Sequence, residues 1–378
     1  MQEMRVSRFW VLVLVSCFFC KSKGAIVPAL IMFGDSIVDV GNNNNLLSIV
    51  KSNFPPYGRD FTNQTPTGRF CNGKLAVDFS AEYLGFSSYP PAFLNREARN
   101  EDFLIGANFA SASSGYYDAT SVPFVRETNA LKHQHAHTHD MIHKALLFLL
   151  QGAIPLTRQL SYYRTYQNRV RSMIGRERAR TMFSQSIHIL SAGSSDFLQN
   201  YYINPLLNIL NTPEQFSDTL MRSYSEFIQN LYELGARRIG VISLPPMGCL
   251  PAAITLFGAG NKSCVERLNN DAVMFNTKLE STTQTLMKRH SGLKLVAFNA
   301  YQPLMDIITN PYDNGFFETK RACCGTGTIE TSFLCNSLSL GTCSNATGYV
   351  FWDGFHPTEA VYELLAGQLL SQGISLIS

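Results

Sequence analysis

Five short apolar runs separated by longer helical patterns constrain this 378-residue chain more than any other feature. The runs Ala29–Phe33, Phe103–Ile105, Ile187–Leu190, Arg238–Ser243 and Leu293–Phe298 read as buried strands. The spacing of apolar residues predicts helices over Lys74–Leu84, Leu156–Ile174, Pro213–Leu234, Cys264–His290 and Thr358–Leu370. Strands covered by helices on both faces are apolar throughout, and parallel neighbours need a crossover that is usually a helix. The alternation therefore implies an α/β domain with a parallel sheet. Five strands fit one doubly wound domain better than two small ones. Such sheets bind ligands beyond the carboxyl ends of their strands. Small polar or turn-forming groups stand there: Ser36 after the first run, Asn108 and Gly115 beyond the second, and Gly193 to Asp196 after the third.

The first run ends in Gly34-Asp35-Ser36-Ile37, which puts a hydroxyl on a tight turn at a strand's carboxyl end. Alone, this tetrapeptide is an ordinary turn, because Gly, Asp and Ser dominate turns for backbone reasons. Its weight comes from Asp353-Gly354-Phe355-His356 near the other end of the chain. A serine nucleophile needs a neighbouring base, and that base needs a carboxylate to fix its tautomer and support the imidazolium. An Asp three residues before a His on a glycine-containing loop supplies both, so Ser36, His356 and Asp353 are the candidate catalytic residues.

A net charge of +3 with no basic cluster gives no sign of a nucleic-acid partner. Arg5 and Arg8, the apolar stretch from Phe9 to Cys20, and the small residues Ser22 and Gly24 read as a secretory signal over residues 1–24, cleaved after Gly24. Residues 25–378 then form one domain, expected to be extracellular, in the apoplast or cell wall, with no transmembrane span after cleavage. Seven cysteines remain in the mature chain, six of them from Cys249 onward, which suits disulfides in an oxidising compartment. Cys249 with Cys264 makes a plausible local loop, and isolated Cys71 is the expected free thiol. Adjacent Cys323-Cys324 and the lack of a Cys-x-x-Cys pair in the mature chain argue against zinc, so no metal is expected. Sequons at Asn63, Asn261 and Asn345 are candidate glycosylation sites.

The stretch 122–151 differs from the rest. It holds His133, His135, His137, His139 and His143, five of the eight histidines. Such tracts can bind metals, but Asp140 is the only acidic partner nearby, and a solvent-exposed loop is the better reading.

The ordered motifs Phe33-Gly-Asp-Ser-Ile-Val-Asp-Val-Gly-Asn-Asn-Asn44, Pro66-Thr-Gly-Arg-Phe-Cys-Asn-Gly73, Gly106-Ala-Asn-Phe-Ala-Ser-Ala-Ser-Ser-Gly115, Ser191-Ala-Gly-Ser-Ser-Asp196, Leu244-Pro-Pro-Met-Gly-Cys249 and Phe351-Trp-Asp-Gly-Phe-His-Pro357 span nearly the whole mature chain. In these the chain resembles the GDSL esterase/lipase family, the plant secreted branch of the SGNH hydrolases. The resemblance implies a flavodoxin-like three-layer α/β/α sandwich with a mostly parallel five-stranded sheet. It also implies a carboxylic-ester hydrolase working through an acyl-enzyme, with no cofactor. Ser36 would be the nucleophile, His356 the base and then the acid, and Asp353 its orienting carboxylate. The oxyanion hole would take the backbone N–H of Ser36, a second backbone N–H at Ser113 or Gly115, and a side chain at Ser195. Here the chain departs from the family pattern, which has Asn where Ser195 stands; a hydroxyl reaches less far than an amide, and the expected consequence is a weakened hydrolase. Ile37 in place of the eponymous Leu is a milder departure.

The stretch 122–151 is a second departure, since the family joins the equivalents of Thr120 and Ala153 within a few residues. It opens with Val and closes with Gln, whose codons can carry intron boundary letters, so a retained intron in the gene model is one reading and a genuine insertion the other. Two alternative functions share the fold: acyl transfer to an alcohol, and a catalytically impaired glycan- or lipid-binding relative. Lipid, cutin-monomer, acetylated cell-wall polysaccharide and small phenolic esters are all compatible as substrates.

Overall fold

In the computed structural model, residues 24–121 and 152–378 are described. The expected leader, apart from Gly24, and the histidine-rich stretch 122–151 lie outside them. The first apolar run forms β1 (Leu30–Gly34), every residue of which is buried. It pairs in parallel with β2 (Gly106–Asn108) on one side and β3 (Ile187–Ser191) on the other. Outward from β3 come β4 (Arg238–Ile242) and β5 (Lys294–Phe298), also parallel, giving the strand order β2-β1-β3-β4-β5. This is the flavodoxin-like order, with its topological switch point between β1 and β3.

Alternation along β1 assigns its side chains to two layers. Ile31 and Phe33 pack with the helices Leu156–Ile174, Pro213–Glu233 and Glu266–Arg289, whereas Leu30 and Met32 pack with the helices Ala76–Tyr83 and Glu359–Gln372. Phe33 stacks on Phe109 at 5.2 Å and meets Tyr163 and Phe227 edge-on at 5.4 Å. The helix Leu156–Ile174 buries Leu156, Gln159, Leu160, Tyr163, Tyr166, Gln167 and Val170, a stripe of three- and four-residue steps. The three-layer α/β/α sandwich expected from the sequence is the fold.

One predicted strand is wrong. Phe103–Ile105 belongs to a short 3₁₀ turn, Glu101–Ile105, and the strand follows it at Gly106–Asn108. Glu101 and Asp102 favour a helical start, and Phe103 is buried beside Phe93 and Tyr166 as a core plug. The small second sheet, β6 (Glu318–Ala322) with β7 (Tyr349–Phe351), had no sequence signal. It lies in the cysteine-rich region, where Cys323–Cys343 and Cys324–Cys335 close loops; Cys249–Cys264 is the local loop expected, and Cys71 is free and buried. Each closure is worth about 3 kcal/mol through lost chain entropy.

Candidate active site

The turn after β1 can be held only by a glycine. Gly34 has φ +129°, and a Cβ there would sit 1.8 Å from the Ser191 carbonyl oxygen of β3. The next residue, Asp35, donates its N–H to that same oxygen at 2.9 Å, so the chain turns hard against the switch point and lifts Ser36 above the sheet edge. Gln159 fixes the turn from the helical layer: its Oε1 accepts from Gly34 N at 2.8 Å, and its Nε2 donates to Gly34 O at 2.9 Å. Asp39, Asn42 and Asn43 then tie this segment to the next block. Asp39 accepts from Gly41 N, Asn42 N and Ala112 N, while Asn42 and Asn43 donate to the carbonyls of Asn108, Ala110 and Ala112.

The His356 loop reaches the same edge from elsewhere in the chain. His356 Nε2 lies 2.7 Å from Ser36 Oγ, and Nδ1 lies 2.7 Å from Asp353 Oδ1. Asp353 Oδ1 also accepts from the N–H groups of Phe355 and His356, and Oδ2 from Tyr57 Oη and Thr331 Oγ1. With both oxygens occupied as acceptors, Nδ1 is the donor to Asp353, leaving Nε2 to accept from Ser36. Ser36, His356 and Asp353 are 8 %, 5 % and 0 % exposed, so solvent reaches the hydroxyl end of the chain of bonds and not its carboxylate. Phe70 packs on the imidazole at 5.0 Å, and Trp352, beneath the loop, carries the Arg59 guanidinium over its ring at 4.7 Å. Trp352 and Phe70 share an apolar cluster with Cys323, Cys324 and Cys335. The disulfide region therefore buttresses the histidine loop.

Among the described residues, the backbone N–H groups of Ser36, Ser113 and Gly115 meet no protein acceptor. Ser113 holds φ +68°, unusual for a residue with a side chain, and borders a cleft of about 240 Å3 together with Ser36 and His356. Gly115 faces the other way, against Asp196: a Cβ on it would lie 2.3 Å from the carboxylate. Asp196 grips the following turn through Tyr116 N at 2.8 Å, Tyr117 N at 3.1 Å and Thr120 Oγ1 at 2.7 Å. Burial pushes its carboxyl up to about 7, against the pull of those hydrogen bonds. Ser195 is buried just ahead of a π-helical turn, Asp196–Tyr201, and does not border the cleft, whereas Gln199 from that turn does.

The cleft walls are mainly apolar, with Ile49 and Val50 on one side and Phe333, Leu334 and Phe355 on others. A larger hollow of about 590 Å3, lined by Asn276, Glu280, Gln284 and Gln302 among others, contains no nucleophile–base pair. Among the described residues no cluster of His, Cys, Asp and Glu is arranged to hold a metal. The sequon residues Asn63, Asn261 and Asn345 are all exposed. Sequence reasoning missed Tyr57, Gln159, Gln199 and Thr331. Of these only Gln159 left a signal, as a polar residue within an apolar helical stripe.

Comparison with known proteins places the geometry in context. A family profile described as "GDSL-like Lipase/Acylhydrolase" matches residues 30–369. The chain is 81% identical over 378 residues to the Arabidopsis thaliana protein named GDSL esterase/lipase At3g53100, with 100% of each chain covered. It is 56% identical over 379 residues to GDSL esterase/lipase At5g03810 (100% of each) and 50% identical over 374 residues to GDSL esterase/lipase APG (98% of each), both from the same plant.

Proposed function

The chain belongs to the GDSL-like lipase/acylhydrolase family and is an ester-bond hydrolase, and we propose that it cleaves esters through Ser36, His356 and Asp353 by way of an acyl-enzyme. The observation that carries this reading is the continuous run of hydrogen bonds from Ser36 Oγ through His356 to Asp353, each 2.7 Å long, at the floor of an apolar cleft.

Ser36 Oγ attacks the ester carbonyl carbon while its proton passes to His356 Nε2. The carbonyl π pair moves onto oxygen, and that charge is held by the N–H groups of Ser36 and Ser113, donors with no other acceptor among the described residues. As the intermediate collapses, the C–O bond to the alcohol breaks and the leaving oxygen takes the proton from His356. The acyl group is then on Ser36. A water molecule gives a proton to His356 and attacks the acyl carbon; a second collapse returns the proton to Ser36 Oγ and releases the acid. Asp353 holds the imidazole in the tautomer that both half-reactions need.

Among the described residues, no Asp, Glu, Lys or Arg side chain lines the cleft, which favours an uncharged ester with an apolar acyl or aryl group over an anionic one. Secretion is part of the proposal. It is supported by the leader-like start of the chain, the three disulfides and the exposed sequon asparagines Asn63, Asn261 and Asn345; among the described residues no helix is long and apolar enough to cross a membrane. We treat residues 25–378 as one domain interrupted by 122–151. The residues flanking that stretch lie side by side, with Thr157 Oγ1 donating to Asp118 Oδ2 at 2.6 Å, so the domain does not need it to bridge a gap.

The test is hydrolysis of p-nitrophenyl butyrate by the purified protein beside a Ser36→Ala variant. The proposal expects the variant to lose nearly all turnover; equal rates from the two would defeat it.

A further inference from the structure

Asp353 has a second oxygen, Oδ2, turned away from the imidazole. It accepts from Tyr57 Oη at 2.7 Å and from Thr331 Oγ1 at 3.0 Å. Tyr57 is 1 % exposed and wedged edge-on between Phe54, Phe70 and Trp352, and it does not border the cleft. Its oxygen is used twice, since it also accepts from the Ser332 N–H at 2.8 Å. Burial above all, and then the neighbouring Asp353 carboxylate, pushes the phenol well above its ordinary range, so it stays a donor at every working pH.

Ser332 belongs to a wall of the cleft. It holds φ +51°, a conformation that side-chain-bearing residues rarely adopt and that persists only where the surroundings impose it. They do so here. The Ser332 hydroxyl lies 2.6 Å from Ile49 O and 2.9 Å from Lys51 O, and accepts from Lys51 N at 2.9 Å. Just beyond it, Cys335 is bonded to Cys324. The two apolar walls, Ile49-Val50 and Phe333-Leu334, are therefore clasped at Ser332, and the clasp is bonded through Tyr57 to the carboxylate that orients the base.

We propose that Tyr57 and Thr331 are positioning residues of the hydrolase: they pin Asp353 Oδ2, so that Oδ1 faces His356 Nδ1, and they lock that carboxylate to the wall the substrate touches. This inference rests on the triad reading above. A carboxylate with one free oxygen can turn about its terminal bond and share the imidazole N–H between its two oxygens. The aim of Nε2 at Ser36 then loosens. A hydrogen bond to a charged group is worth about 1.5–3 kcal/mol, which corresponds to roughly tenfold or more in rate.

The experiment is steady-state hydrolysis of p-nitrophenyl butyrate by the whole protein and by Tyr57→Phe, Thr331→Val, Thr331→Ser and Ser36→Ala, with circular dichroism and thermal melting run alongside. Tyr57→Phe should lower kcat about tenfold with KM within about twofold of the parent, because the phenol supports Asp353 without touching substrate. Thr331→Val should lower kcat about threefold, and Thr331→Ser, which keeps the hydroxyl, should restore it. A role in packing alone would leave kcat per folded molecule unchanged and would make Ser no better than Val. If Ser36→Ala is inactive while folded Tyr57→Phe and Thr331→Val both turn over like the parent, the inference fails and the triad stands. If Ser36→Ala is as active as the parent, the triad falls and the inference with it. Should Tyr57→Phe not fold, the Thr331 pair decides by itself: rescue by Ser supports the inference, and equal Val and Ser overturn it.

Discussion

Two buried aspartates, Asp35 beside Ser36 and Asp353 on the His356 loop, are treated very differently by this fold. Asp353, on the histidine loop, is 0 % exposed and accepts five hydrogen bonds, none longer than 3.0 Å. Asp35, next to Ser36, is 1 % exposed, and its side chain has two long partners, Ile37 N at 3.2 Å and Ser191 Oγ at 3.3 Å. Two long hydrogen bonds do little to offset the burial of Asp35. Burial accordingly pushes the Asp35 carboxyl up to about 7, with the Ile37 N–H pulling the other way. The same asymmetry runs through the surrounding regions. His356 and Asp353 are held by side chains from three loops and a disulfide region, while on the proposed oxyanion side the cleft is bordered by Ser113 and Gln199, with Ser195 buried away from it. In the proposed mechanism, orientation of the base is built in tightly and stabilisation of the charge that the attack creates is built more sparsely.

The largest expected effect breaks the tight side. Asp353→Asn would put an amide where Nδ1–H now finds an acceptor, favouring the wrong imidazole tautomer, and should lower kcat on an aryl ester by about 10⁴. A loss of less than tenfold would mean that Asp353 does not orient the base. The next probes the sparse side. Ser195→Asn should raise turnover by about tenfold if an amide there completes the oxyanion hole. No gain would assign that donor to another group, with Gln199, which borders the cleft, the first to replace by Ala. The smallest effect concerns stability and the Asp35 carboxyl. A carboxyl raised in the fold holds its proton after the unfolded chain has released it, so stability from this group is full below about pH 4 and is lost as pH rises towards about 7. Thermal unfolding followed from pH 4 to 8 should show the total loss of stability over that range reduced by up to a few kcal/mol in Asp35→Asn; an unchanged loss would show that Asp35 ionises as readily folded as unfolded.

Most of the sandwich was legible because each central strand is apolar on both faces and each covering helix carries a stripe. β2 was misplaced because its residues, Gly106-Ala-Asn108, are small or polar, and the apolar run that drew attention, Phe103–Ile105, serves the core from a helical turn. The hydrogen-bonded set Ser36, His356 and Asp353 was legible because Asp353 and His356 are local partners and Ser36 ends a strand. Tyr57 was not, since its bond to Asp353 joins residues 296 positions apart and nothing near it in sequence signals a buried donor. The disulfide pairing of Cys323, Cys324, Cys335 and Cys343 was equally hidden, because spacing does not choose among pairings that only the folded loops distinguish. Of the two oxyanion candidates left open, Ser113 borders the cleft and Gly115 abuts Asp196, a choice that depends on the left-handed turn at Ser113.

The central claim is that Ser36 is the nucleophile activated by His356, and covalent capture tests it most directly. The purified protein would be incubated with a fluorophosphonate and analysed by intact mass and peptide mapping, beside Ser36→Ala and His356→Ala. The account predicts one adduct per molecule, on Ser36, absent from Ser36→Ala and formed far more slowly in His356→Ala. Stoichiometric labelling of another residue, or a labelling rate unaffected by loss of His356, would contradict it.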